Sequence, residues 1–221
     1  MSAFPFDIVA FDLDGTLADT SPDIAAALNR MLGDLGRPAL APDHVRTLIG
    51  DGAKNLIRRA LAATGEAADV LVEQGYPIYL DHYAANICDG TLRFPAVEQA
   101  MADLVGLGAR LAVCTNKPER LTVALLGALG WTDRFAAVVC GDSFAFRKPD
   151  PRMLTETIAR AGGGRAALVG DSIIDAETAR AAGQPFVAVS FGFRDRPAEA
   201  LGADALIDSF EELVPALALL G

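Results

Sequence analysis

The sequence predicts an α/β protein: a parallel sheet with helices on both faces, and an all-helical segment inserted after the first strand. Three observations carry this reading. Short apolar runs alternate with helical patterns along most of the 221 residues, the order produced by right-handed βαβ units. The runs are apolar throughout, as expected of strands covered on both faces. One stretch, from about Thr20 to Asp89, has helical periodicity and no convincing strand.

The first strand is expected over Asp7–Asp12. Ser21-Pro22-Asp23 then reads as a helix start, with Ser21 at the N-cap and proline at the first helical position. Ile24, Leu28, Met31 and Leu35 follow at helical spacing, and Gly36 ends the run. Pro42–Leu48, Ala53–Ala63 and Ala67–Tyr83 supply further helix. The α/β layer resumes near Phe94-Pro95. Strands are expected at Arg110–Thr115, Ala136–Cys140, Ala167–Gly170 and Phe186–Ser190. Helices are expected at Glu119–Leu129, Met153–Ala161 and Ile173–Ala182. The chain thus divides into a Rossmann-like core, residues 1–18 and 91–221, and a helical insert, residues 19–90.

Composition narrows the function. An apolar content of 52% supports a real core. Lysine and arginine number 19 against 29 acidic residues, a formal charge of −10. That argues against nucleic-acid or anionic-membrane partners. It also means that any anion site must be built from local cations and backbone N–H groups. Cys88, Cys114 and Cys140 form no C-x-x-C pair, which fits reduced thiols in the cytoplasm. No signal peptide is expected, since Asp7 interrupts the first apolar run, and no run is long enough to span a bilayer. Only His44 and His82 are present, poor support for a histidine-rich zinc site or a Ser-His-Asp triad.

The residues that carry chemistry sit where strands end. Asp12 and Asp14 close the first strand; at i and i+2 they point into one small space. Two carboxylates that close raise each other's pKa unless a cation relieves them. The later strand ends supply Thr115-Asn116-Lys117, Lys148-Pro149, and Gly170-Asp171-Ser172 with Asp175 one helical turn on. Each alone has a structural reading: an Asp-Gly turn, a helix cap, a solvated lysine. Together, at the carboxyl ends where open parallel sheets bind ligands, they mark a functional site.

Asp12-Leu13-Asp14-Gly15-Thr16, Thr115-Asn116, Lys148-Pro149 and Gly170-Asp171-Ser172-x-x-Asp175 resemble, in order and spacing, the four motifs of the haloacid dehalogenase-like hydrolases. The helical insert resembles that family's cap. Leu48-Ile49-Gly50-Asp51-Gly52-Ala53, Thr115-Asn116-Lys117-Pro118 and Val189-Ser190-Phe191-Gly192-Phe193 resemble the bacterial phosphoglycolate phosphatase group. The resemblance implies Asp12 as nucleophile, Asp14 as acid and base, and Thr16 as support for the phosphate geometry. It places Thr115 and the Asn116 N–H at the phosphoryl oxygens, and Lys148 as the neutralising cation. It implies Mg²⁺ as cofactor, held by Asp12, the Asp14 main-chain carbonyl and Asp171, with Asp175 as a further ligand or a partner behind the ligands.

The implied activity is Mg²⁺-dependent hydrolysis of a small phosphorylated metabolite, 2-phosphoglycolate foremost, by a cytoplasmic monomer or homodimer. Pyrophosphate and sugar phosphates are the alternatives within the family, and a non-catalytic receiver-like phosphate sensor is the alternative outside it. In the cap, Gly50, Gly52, Lys54 and Arg58, with Arg46 nearby, are candidates to meet a substrate carboxylate, or else form a solvated helix face. Arg194 is a further candidate. Related phosphatases carry Pro-Gly after the cap where this chain has Pro95-Ala96, so the linker turn is expected to differ.

Overall fold

The computed structural model describes residues 4–193 and 196–221. In chain order the elements begin with β1 (Ile8–Phe11), β2 (Ala18–Asp19), α1 (Ser21–Asp34), α2 (Pro42–Leu48), α3 (Ala53–Thr64), α4 (Asp69–Ala85) and β3 (Leu92–Arg93). There follow α5 (Val97–Gly106), β4 (Arg110–Cys114), α6 (Glu119–Ala128), β5 (Ala137–Val139), α7 (Arg152–Arg160), β6 (Ala166–Gly170), α8 (Ile173–Ala181), β7 (Phe186–Val189), β8 (Ala205–Ile207) and α9 (Leu213–Leu219). Among the described residues no helix is long and apolar enough to cross a membrane.

Six strands form one parallel sheet in the order β5-β4-β1-β6-β7-β8. β1 lies at its centre and is buried along its whole length. The period-two geometry of a strand splits its residues between two cores. Val9 and Phe11 face Met101, Leu104, Leu125 and Leu217. Ile8 and Ala10 face Met153, Leu154, Ala176 and Ala179. α5, α6 and α9 therefore cover one face and α7 and α8 the other, which explains why the strands lack an apolar–polar alternation. From β1 the chain moves to β4 and β5, then returns to β6 and continues outward. The direction of winding reverses between β1 and β6, the position at which such sheets hold ligands.

α1–α4 pack on one another around Leu28, Met31, Ile57, Leu61, Val72 and Tyr83, and Leu121 of α6 joins this cluster. The chain leaves and re-enters the core through β2 and β3, which pair antiparallel as a two-stranded ribbon. Neither was expected, because two residues give no periodicity to read. Asp23 in the first turn of α1 ties the returning segment down. Its two carboxylate oxygens accept from Gly90 N (2.8 Å), Thr91 N (2.8 Å) and Thr91 Oγ1 (2.6 Å).

Two local expectations are corrected. The N-cap of α1 is Thr20, not Ser21. The Ser21 N–H and hydroxyl both donate to Asp19 Oδ1, while the Thr20 hydroxyl points to Asp14. The linker turn does not avoid the left-handed region either. Ala96 takes φ 60° in spite of its Cβ and begins α5 from there. β8 and α9 are also present, where the sequence pattern suggested no element.

Candidate active site

β1 carries Asp12 to the edge of the sheet, and the Asp12 N–H still donates to Val169 O of β6 at 2.9 Å. The chain then turns sharply. Gly15 has φ +85°, and a Cβ there would meet the Asp171 carboxylate at 2.5 Å, so only glycine fits. The turn aims Asp12 and Asp14 into the same cavity, as their spacing suggested. Thr115, at the end of β4, and Asn116 line the same space.

Lys148 enters from the loop after β5 and is 1% exposed. Its ammonium lies 2.9 Å from Asp12 Oδ1 and 2.6 Å from Asp175 Oδ1. Asp12, Asp171 and Asp175 bring carboxylate oxygens within 4.8 Å of one another, all buried. Two carboxylates thus meet one lysine, with a third beside them. Burial pushes the Asp12 carboxyl up to about 6; Lys148 opposes the shift, while Asp175 and Asp14 add to it. Burial, reinforced by Asp175 and Asp12, pushes Asp171 well above the usual carboxylate range. Burial also works against charge on Lys148, yet Asp12 and Asp175 outweigh it and hold the ammonium above the ordinary lysine range.

This cluster fits a divalent cation. The carboxylates outnumber the buried ammonium, and hard oxygen donors are what Mg²⁺ takes. Asp12 Oδ1 is buried and accepts no hydrogen bond: its contact with Lys148 is a charge contact without hydrogen-bond alignment. Such an orphaned oxygen is costly unless something binds it.

Other predicted residues hold these groups in place. Thr16, expected at the phosphate, is fully buried and donates its hydroxyl to Asp171 Oδ1 at 3.1 Å. Its N–H goes to Leu13 O, so it orients a carboxylate and does not line the cavity, a correction to the expected role. Asp171 Oδ2 accepts from the Phe193 N–H. Asp175 closes a capping box with Ser172: its Oδ2 accepts from Ser172 N and Oγ, and its Oδ1 from Lys148. With both oxygens engaged, Asp175 acts behind the cluster. Asn116 clasps the Lys148 backbone, donating to its carbonyl at 3.1 Å and accepting from its N–H at 3.0 Å. Cys114 is buried, and burial pushes its thiol up to about 11, which leaves it a packing residue.

The cap closes the cavity with Ile24, Ile49, Gly50, Gly52, Ala53, Leu56 and Tyr79. The space left is about 40 Å³, room for a few waters. Gly50 and Gly52 line the cavity, on a loop against Asn116. Lys54 and Arg58 do not line it. Lys54 pairs with Glu73 at 2.7 Å and lines a neighbouring cleft with Gly52, Asn116 and Arg147, and Arg58 pairs with Asp69 at 2.6 Å in solvent. Arg46 pairs with Asp19 at 3.1 Å and lies over the Phe193 ring. Arg194 falls outside the described residues.

Sequence reasoning missed a role for Lys117. Its ammonium contacts Asp14 Oδ1 at 2.9 Å and Oδ2 at 3.2 Å, and donates to Tyr83 Oη of α4 at 2.8 Å. Only its place one residue after Thr115-Asn116 hinted that it would face the site.

An open parallel sheet with buried carboxylates and a lysine at its carboxyl edge, closed by a helical cap, defines the class. Residues 9–189 match the family model of the haloacid dehalogenase-like hydrolases, and the chain belongs to that family. It is 45% identical over 214 residues to the phosphoglycolate phosphatase of Mesorhizobium japonicum, covering 96% of this chain and 94% of the relative. It is 44% identical over 209 residues to the phosphoglycolate phosphatase of Caulobacter vibrioides, covering 91% and 86%. A crystal structure of a predicted phosphoglycolate phosphatase from Haemophilus somnus superposes with a TM-score of 0.89 at 29% identity, covering 95% of this chain and 97% of that one. CbbY from Rhodobacter sphaeroides, solved in complex with phosphate, gives 0.82 at 26% identity, covering 96% and 99%. The chain stands among the phosphoric monoester hydrolases of the family.

Proposed function

We propose that this hydrolase is a Mg²⁺-dependent phosphatase that works through an aspartyl-phosphate, with 2-phosphoglycolate as its substrate. The observation that carries the reading is Asp12 itself. It is a buried carboxylate at the end of the central strand, aimed into the cavity between sheet and cap, with Lys148 at 2.9 Å. The substrate is supported by relatives 45% and 44% identical that bear the name phosphoglycolate phosphatase.

Asp12 attacks phosphorus and the bond to the ester oxygen breaks. Asp14, across the same cavity, takes up a proton from solvent as it leaves Lys117, gives it to that oxygen, and glycolate leaves. Asp14 then takes a proton from water, which attacks the phosphorus of aspartyl-phosphate. Phosphate departs, the Asp12 carboxylate is restored, and Asp14 returns its proton to solvent and its carboxylate to Lys117. Thr115 and Asn116 face the transferring phosphoryl group, and Lys148 lowers the repulsion between Asp12 and an anionic substrate. Asp12, Asp171 and the Asp14 main-chain carbonyl would hold Mg²⁺, with Asp175 behind them. Bound there, the ion neutralises carboxylate and phosphate charge. The reading also takes residues 19–90 as a cap that opens to admit substrate and closes to exclude water.

The test is Mg²⁺-dependent phosphate release from 2-phosphoglycolate, sugar phosphates and pyrophosphate, compared as kcat/KM. 2-Phosphoglycolate well ahead of the others is the expected result. A sugar phosphate or pyrophosphate ahead would remove the proposed substrate and leave the chemistry. No release from any of them would remove the chemistry as well.

A further inference from the structure

We propose that Lys117 is the residue that selects a carboxylate-bearing substrate, by pairing its ammonium with the carboxylate of the leaving group. The inference rests on the phosphatase reading above and adds the group that recognises the organic half of the substrate.

Charge placement carries it. Among the described residues lining the cavity, Lys117 is the only lysine or arginine. The cap cations that could have met a second anionic group are committed elsewhere, Lys54 to Glu73, Arg58 to Asp69 and Arg46 to Asp19. Arg147 lies 3.9 Å from Asp51, and Lys148 is held between Asp12 and Asp175.

The order of groups along the cavity fits the order of atoms in the substrate. Asp12 takes the phosphorus and Asp14 the ester oxygen. Asp14 in turn touches the Lys117 ammonium, which lines the same cavity, and accepts from the Thr20 hydroxyl. The carbon skeleton beyond the ester oxygen therefore leads toward the Lys117 ammonium. Asp14 holds that ammonium in the absence of substrate. When Asp14 turns to the leaving oxygen, the side chain, only 3% exposed, needs another anion. A substrate carboxylate supplies one.

The lysine is well fixed for this role. Its N–H donates to Thr115 Oγ1 at 3.2 Å and its carbonyl accepts from Gly141 N at 3.0 Å. Its ammonium donates to the hydroxyl of Tyr83, which belongs to the cap. Burial, followed by the charge of Asp14, pushes the Tyr83 phenol well above its usual range, so it stays neutral beside the cation. Core and cap therefore both set where the ammonium stands.

The experiment compares kcat/KM for 2-phosphoglycolate and for ethyl phosphate, which keeps the two-carbon skeleton and lacks the carboxylate. Wild type, Lys117→Gln and Lys117→Arg are measured, with melting curves for each. Lys117→Met, which keeps the stem against Tyr83, replaces the glutamine variant if that does not fold. A charged hydrogen bond corresponds to about 10- to 150-fold in an equilibrium. Wild type is expected to favour 2-phosphoglycolate. The neutral variants should lose about that factor in the ratio, mostly through KM for 2-phosphoglycolate, and Lys117→Arg should keep more of it. A ratio unchanged in the neutral variants, both rates falling alike, overturns the proposal and makes Lys117 a positioning residue for Asp14. A wild-type ratio near one overturns it together with the substrate reading.

Discussion

The carboxyl edge of the sheet and the solvated helix surfaces of the cap treat charge in opposite ways. At the edge, Asp12, Lys148, Asp171 and Asp175 are all buried; the last three are held by hydrogen bonds, while Asp12 has only the charge of Lys148 beside it. On the cap, Lys54–Glu73 and Arg58–Asp69 are solvated pairs on helix surfaces. Buried like charges are expensive and persist only where something binds them. Exposed pairs cost little and contribute little. The edge is therefore built for chemistry, whereas the cap supplies an apolar lid, a glycine loop and two tyrosines. The predictions below test that division from the largest effect to the smallest.

Asp12→Asn should remove the nucleophile and change little else. Activity is expected to fall by about 10⁴-fold or more, since a missing nucleophile is not replaced by its neighbours. The fold, checked by circular dichroism and melting, should hold, because a carboxylate in a repelling cluster has been neutralised. A folded variant within tenfold of wild type ends the assignment of Asp12.

Chelation tests the cluster without changing the chain. EDTA should abolish turnover and Mg²⁺ should restore it. Mg²⁺ should also raise the melting temperature, by the equivalent of about 2.7 kcal/mol at a hundredfold excess over Kd. Asp171→Asn should lose most of that thermal shift. Full activity in metal-free buffer, or an equal Mg²⁺ shift in the variant, would remove the cation from the site.

The contrast between edge and cap also explains what could be read in advance. β1, β4 and β6 were legible because strands buried on both faces must be apolar. The polar residues just past their ends, each with a folding role of its own, then stood out as a set. Asp12, Asp14 and Thr115 fall in one place for that reason, and Lys148 reaches them from the loop after β5. Thr16 was misjudged because the direction of a hydroxyl depends on which neighbour needs a donor, and that neighbour, Asp171, lies 155 positions away. Lys54 and Arg58 were ambiguous because the faces of α3 and α4 decide their partners, and no local pattern encodes that pairing. β2, β3 and the clamp of Asp23 on Gly90 and Thr91 are tertiary facts of the same kind.

That clamp gives the next effect in size. Asp23→Ala leaves two backbone N–H groups and a hydroxyl without their acceptor at the crossing between core and cap. The expected loss is about 2–3 kcal/mol, read as a lower denaturation midpoint. Ala96→Gly lies five residues beyond Thr91 on the same returning segment and should act in the opposite direction. It relieves an alanine at φ 60° and is expected to gain about 1 kcal/mol. A domain of this size then melts about 2–4 °C higher. A lower melting temperature would mean that the left-handed turn is not where strain resides.

The smallest effect is the most discriminating for the cap. Lys54→Ala and Arg58→Ala each break an ion pair whose partners are largely solvated, with side-chain exposures of 45% and 64% for Lys54 and Glu73, and 46% and 84% for Arg58 and Asp69. Such pairs contribute about 0.5 kcal/mol, so stability should barely change. The KM for 2-phosphoglycolate should stay within about twofold of wild type, because neither side chain lines the cavity of Asp12 and Asp14 and its loss removes no binding energy there. A tenfold rise in KM with unchanged melting would mean that these cations swing inward when the cap closes on substrate. The cap would then choose the substrate, and the core lysine Lys117 would lose that role.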